Sequence, residues 1–146
     1  MTSVLPGSVA GPPGGRPSQP AQTGARRPDP RRELGRYGED VAAVFLTLKG
    51  WEVLDRNWRC RGGELDLVAR PSPATLVFVE VKTRTDNRCG TPAAAVTATK
   101  LARLRRLAAA WLAAHNHHAD QVRIDVVAIT AGPAGRSIEH LEGVTL

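Results

Sequence analysis

Two apolar runs of strand length on either side of a proline-rich turn constrain this chain more than any other feature. Leu65-Asp66-Leu67-Val68-Ala69-Arg70 and Leu76-Val77-Phe78-Val79-Glu80-Val81-Lys82-Thr83 are rich in branched apolar residues, and Pro71-Ser72-Pro73-Ala74-Thr75 between them is a turn signal. The pattern predicts a β-hairpin. With Arg70 opposite Leu76, the antiparallel register sets Asp66 against Glu80 and Glu64 against Lys82, with opposed Cβ atoms roughly 4.5–5.5 Å apart. A slip of one residue would send alternate side chains to the other face, so the cluster depends on that register.

Along the second strand Val77, Val79 and Val81 point one way, and Phe78, Glu80, Lys82 and Arg84 the other. This second face changes from apolar to charged along its length, as suits the rim of a cleft. Two opposed carboxylates repel unless a cation or a proton lies between them. Mg²⁺ typically takes one or two carboxylates and keeps positions for water and phosphate, which fits Asp66 and Glu80 as ligands with the Val81 carbonyl beside them. Lys82, near a phosphate, would stabilise developing negative charge or help orient and deprotonate the attacking water. The competing explanation is plain edge protection: alternating charges on a solvated strand blunt a sheet edge against aggregation.

At 146 residues the chain has room for one folded domain. Residues 1–32 hold Pro6, Pro12, Pro13, Pro17, Pro20, Pro28 and Pro30 and almost no large apolar side chain, so they are expected to form a disordered tail, with the α/β domain over 33–146. No stretch has the continuous apolar core of a secretory signal or approaches the roughly 20 apolar residues of a membrane span. A cytoplasmic protein without membrane contact is expected. Cys60 and Cys89 have neither the number nor the spacing of a disulfide framework or a zinc site. The net charge of +6 points to a nucleic-acid partner, but Arg16, Arg26, Arg27, Arg31 and Arg32 against Asp29 put +4 of it in the tail and leave +2 for the rest.

Residues 32–49 predict an amphipathic helix with Leu34, Tyr37, Val41, Val44, Phe45 and Leu48 as its buried arc and Gly50 as its stop. Glu39 falls nearly opposite that arc. Gly35 and Gly38 each weaken the helix by roughly 1 kcal/mol, which a close approach by a strand or a ligand backbone would explain. A strand is expected over 51–58, then a flexible basic turn from Arg59 through Arg61 to Gly63. A polar loop with Arg88 follows the hairpin over 85–92. A second helix over 97–114, capped by Thr97 or Thr99, buries Leu101, Leu104, Leu107, Ala108, Trp111 and Leu112. Its Lys100, Arg103, Arg105 and Arg106 form a solvated face unless the helix borders the charged hairpin edge, where they would meet phosphate. His115, His117 and His118 lack the spacing of a zinc site. Strands over 123–129 and 136–141 complete an α/β layer, a central mixed sheet with helices on its faces.

Glu39, Asp66, Glu80 and Lys82, in this order on helix, strand and strand, resemble the PD-(D/E)xK restriction-endonuclease-like superfamily. More narrowly, Gly35-Arg36-Tyr37-Gly38-Glu39, Arg56-Asn57-Trp58-Arg59, Gly63-Glu64-Leu65-Asp66-Leu67-Val68 and Phe78-Val79-Glu80-Val81-Lys82-Thr83-Arg84 are similar to blocks of the bacterial YraN family, over roughly 34–129. The resemblance implies a restriction-endonuclease-like core and Mg²⁺ or Mn²⁺ as cofactor. It also implies Asp66 and Glu80 as metal ligands, Lys82 as the catalytic lysine and Glu39 as the helix carboxylate that reaches the metal. By the same resemblance Glu64, Arg84 and Lys100 become secondary-site or phosphate-contacting candidates, and Arg103 on the second helix and Arg61 on the basic turn join Arg84 and Lys100 as nucleic-acid-binding candidates. Leu65 replaces the superfamily's proline before the aspartate, a variable position. Two functions compete: a metal-dependent DNA endonuclease acting on branched or damaged structures, as a homodimer if it makes two symmetric incisions, and a non-catalytic nucleic-acid-binding accessory protein on the same fold.

Overall fold

The computed structural model describes residues 26–86, 88 and 90–145. The expected disorder of residues 1–25 and the environment of Cys89 lie outside them. The elements follow as α1 (Pro30–Leu48), β1 (Glu52–Cys60), β2 (Gly63–Ser72), β3 (Thr75–Arg84), α2 (Ala98–Ala114), β4 (Gln121–Gly132) and β5 (Gly135–Leu141), with a 3-10 turn at Ala93–Ala95. They form one five-stranded sheet in the order β1-β2-β3-β4-β5. Neighbours are antiparallel except β3 and β4, which run parallel because α2 carries the chain back across the sheet. The result is the mixed α/β sheet expected of a restriction-endonuclease-like core. No described helix is long and apolar enough to cross a membrane.

The two faces of the sheet are read off β3. Leu76 and Phe78 pack with Leu101, Leu104, Leu107 and Trp111 of α2, whereas Val77 and Val79 pack with Ala42, Ala43 and Leu46 of α1. Thr97 caps α2 by accepting the Lys100 N–H at 3.2 Å, and the expected apolar stripe is the buried one, except that Leu112 is only half-buried. Trp111 anchors this side through an Nε1–H bond of 2.9 Å to Asp55 and an edge contact with Phe78.

On α1 the expected face is only partly right: Val41 and Phe45 pack half-buried against the core, but the most buried positions lie to one side of the expected arc. The buried residues of α1 are Gly38, Ala42, Ala43 and Leu46, while Tyr37, Val44 and Leu48 are exposed, Leu48 at 83%. The cause is close approach. A Cβ on Gly38 would stand 1.8 Å from Thr83 Oγ1 and 2.9 Å from Thr83 Cβ, so the small-residue face lets the helix lie against β3 where bulkier side chains would hold it off. Gly35 has open space around it. Gly38→Ala is therefore expected to cost about 1–3 kcal/mol in urea unfolding. Thr83→Ala, which removes the nearest atom, should recover part of it; an unchanged midpoint for Gly38→Ala would refute the packing argument.

A buried ion network closes the far end of the sheet. Asp125, fully buried on β4, accepts from Arg123 Nε at 2.8 Å, Arg123 Nη2 at 2.9 Å, His140 Nε2 at 2.8 Å and the Gly143 N–H at 2.9 Å. Lys49 Nζ lies 2.9 Å from His140 Nδ1. An ammonium only donates, so Nδ1 accepts and Nε2 carries the proton given to Asp125. This network, with the Val144 N–H bond of 2.8 Å to the Ile124 carbonyl, pins the C-terminal segment to β4.

Candidate metal and phosphodiester site

Over residues 67–69 the hairpin register is the expected one, whereas the expected pairs Arg70 with Leu76 and Glu64 with Lys82 are not among the bonded ones. Leu67 pairs with Val79, Val68 with Phe78 and Ala69 with Val77, and an irregularity between Ala69 and Ser72 tightens the turn. One step beyond the last bonded pair, Asp66 falls beside Glu80. There the strands exchange a side-chain bond: Asp66 Oδ2 accepts the Val81 N–H at 2.7 Å.

The pleat is broken at this point. Leu65 and Val68 both pack on the α2 side, and Leu67 and Ala69 on the α1 side, so strict alternation fails around Asp66. Across the sheet Asn57, between the pairs Arg56–Leu67 and Trp58–Leu65, has φ of 51°, in the left-handed region that asparagine tolerates. This irregularity re-aims Asp66 at a rim shared with α1.

A cavity of about 370 Å³ results, lined by Arg31, Leu34, Gly35, Glu39, Asp66, Glu80, Val81, Lys82 and Thr83. All four residues of the superfamily-like set, and Val81, therefore meet. Glu39 reaches the cavity because the glycine and alanine face of α1 turns toward the sheet. Burial lifts the Asp66 carboxyl to about 7, reinforced by the Glu80 charge and more weakly by Glu39 and Glu64, against the Val81 N–H, which favours the charged form. Burial also raises Glu39, with Glu64 and Asp40 adding and a hydrogen bond from Asn57 and the Arg56 charge opposing. Among the described residues, neither Glu39, Asp66 nor Glu80 forms an ion pair, whereas the nearby Asp40 pairs with Arg56 and Glu64 with Arg59 at 3.4 Å. Converging hard oxygens that form no close ion pair, with Lys82 beside them, are a donor set that fits Mg²⁺ or Mn²⁺.

The cations fall into two groups. Lys100 lies close to Lys82, whose charge, with burial, holds the Lys100 ammonium below its ordinary value, and it donates to the Ala95 carbonyl at 3.2 Å. The start of α2 thus borders the charged hairpin edge. Arg103 extends over Gly63 on the turn that carries Arg61. Arg84 bonds the Gly90 carbonyl and does not line the cavity. Two residues that sequence reasoning left out of the site are Arg31, placed in the tail although α1 already begins at Pro30, and Asn57. An N-cap signal was present for the first, since the Asp29 carboxylate accepts the Arg31 N–H at 3.0 Å with proline at the helix start.

A second acidic group, Asp125, His140 and Glu142, has ligand atoms within 4.8 Å of one another. Its buried carboxylate already accepts four hydrogen bonds, two of them from a guanidinium, so it reads as a clamp.

The uncharacterised protein family UPF0102 matches residues 38–129, which include Glu39, Asp66, Glu80 and Lys82. The chain belongs to that family. A UPF0102 protein of Beutenbergia cavernae is 61% identical over 112 residues, 76% of this chain and 94% of that protein. Others are 51% identical in Nocardia farcinica, over 78% of this chain and 90% of that one, and 47% identical in Pelobacter propionicus, over 87% and 90%. The YraN-like resemblance and UPF0102 membership are the same assignment. Arg31 lies outside the segment matched to the UPF0102 family.

Proposed function

We propose that this UPF0102 protein is a metal-dependent endonuclease of the cytoplasm that hydrolyses phosphodiester bonds in DNA, with branched or damaged structures as its preferred class. The observation that carries the reading is the buried, uncompensated Asp66 carboxylate held between Glu80 and Glu39 beside Lys82. Asp66 and Glu80 would hold Mg²⁺ or Mn²⁺ with Glu39 and the Val81 carbonyl close by; a bound ion of this kind polarises a phosphoryl oxygen and lowers the pKa of water.

The chain's own groups supply the rest. The Val81 N–H fixes the Asp66 carboxylate, so its lone pairs are oriented before substrate arrives. Lys82 offers its ammonium to the phosphoryl oxygens on which negative charge grows as water attacks phosphorus and the bond to the leaving oxygen breaks. Lys100 and Arg103 place further positive charge on the α2 side, where the strand would be held.

Purified protein is expected to cut at least one member of a panel of single-stranded, duplex, flap and four-way DNA when Mg²⁺ or Mn²⁺ is added. Asp66→Ala and Lys82→Ala should each lower the rate by about 10²–10³-fold or more. Cutting by both variants at the wild-type rate would sink the assignment. Metal-independent binding that survives Glu80→Ala, without cutting, would favour the non-catalytic accessory role.

A further inference from the structure

Most arginines along the strands have assigned partners: Arg56, Arg59, Arg70 and Arg123 each pair with a carboxylate. The arginines at the start of α1 do not. Among the described residues, no guanidinium of Arg26, Arg27, Arg31, Arg32 or Arg36 forms an ion pair, although Asp29 and Glu33 share the same stretch. The Asp29 carboxylate is turned to capping the helix instead. Five arginines against these two acids leave a local charge of +3.

The position of this charge matters more than its size. Arg26, Arg27, Arg32 and Arg36 line a groove of about 460 Å³, and Arg31, on the same turn, lines the acidic cavity with Glu39, Asp66, Glu80 and Lys82. The groove and the cavity are thus lined by neighbouring residues of the first turns of α1, Arg32 and Arg36 on one and Arg31 and Gly35 on the other. On the cavity's other side stand Lys100, in contact with Lys82, and Arg103 over the Gly63 turn. Unpaired like charges this close along the chain, Arg32 and Arg36 four residues apart on α1 among them, repel one another, a cost that a polyanion removes. Flanking an acidic centre on both sides, they match a phosphodiester backbone that crosses it, with one phosphate over the carboxylates and its neighbours on the arginines.

We propose that the arginines at the start of α1 form a phosphate-tracking surface for the nucleic-acid strand on one side of the cleaved bond, with Arg31 on the phosphate adjoining the cavity. The identity of the cleaved group rests on the nuclease reading; the surface itself is tested by binding alone. Full-length protein is titrated against fluorescent single-stranded and duplex DNA across a salt series with Ca²⁺ in place of Mg²⁺. For Arg31→Ala/Arg32→Ala/Arg36→Ala, the slope of log K against log salt should become shallower by about 0.7–0.9 for each phosphate no longer neutralised. Arg136→Ala on β5 should keep the wild-type slope, and circular dichroism checks that the triple variant is folded.

A triple variant with wild-type affinity and slope would overturn this surface while leaving the nuclease reading intact. Arginine-dependent binding without cleavage under any metal would do the reverse. Wild-type protein that binds no DNA at low salt would end both. Loss of binding to phosphatidylserine vesicles in the triple variant, with DNA binding unchanged, would assign the arginines to a lipid surface and overturn the proposal.

Discussion

Asp66→Asn is expected to stabilise the metal-free protein at pH 8 and to leave it unchanged at pH 4. The Asp66 carboxyl titrates at about 7 in the folded chain and at its ordinary 3.8 when unfolded. Between those values the folded state holds a proton that the unfolded state has released, so stability falls as pH rises through that window and levels off above it. At roughly 1.4 kcal/mol per pH unit, the span amounts to something on the order of 4 kcal/mol. Asparagine keeps an acceptor for the Val81 N–H and carries no charge, so it escapes the loss. Urea unfolding in EDTA from pH 4 to pH 8 measures this directly; parallel curves for the two proteins would show that Asp66 is not held in its acid form. Mg²⁺ or Mn²⁺ should reverse the wild-type loss, binding more tightly as pH rises because the ligand must shed its proton, and should do nothing for the variant.

Asp125→Ala is expected to act in the opposite direction, destabilising the fold by about 3–5 kcal/mol at neutral pH. Asp125 is wholly buried, and its removal strands Arg123, the nearly buried His140 and the Gly143 N–H without their common acceptor. The C-terminal segment should then exchange its amide protons faster than the rest of β4. Metal affinity at the hairpin should stay at the wild-type value. Its disappearance in Asp125→Ala would instead place the cation site at Asp125, His140 and Glu142. The two acidic clusters differ in one respect: Asp125 has its cation built in, and Asp66 does not.

Much of this was legible residue by residue. Alternation in 67–70 and 76–83 and the proline-rich turn between them are local signals, and they sufficed for the hairpin and for its register over residues 67–69, one step from Asp66 and Glu80. The α2 stripe and its Thr97 cap were equally local. The face of α1 was only partly so. Periodicity weighs large apolar side chains, and here the helix buries its small ones because only Gly38 fits against Thr83. That same rotation brings Glu39 to the carboxylates. Arg31 escaped notice because the proline content of its surroundings outweighed the Asp29 cap, and Asn57 because a left-handed residue inside a strand leaves no mark in an alternating pattern.

Period-two and helical patterning, short-range by nature, were enough for the element order, the hairpin and the chemical character of its charged end. Which face of α1 meets the sheet, how Asp66 is turned at a broken pleat, and that the first arginines of the helix join the cavity all depend on close approach between residues far apart in the chain. Such packing is decided by steric fit and burial, which no local pattern encodes. Asp66, Glu80 and Lys82 were visible as a motif; the loss of solvent that lifts Asp66 to about 7 exists only once α1 and the hairpin are packed together.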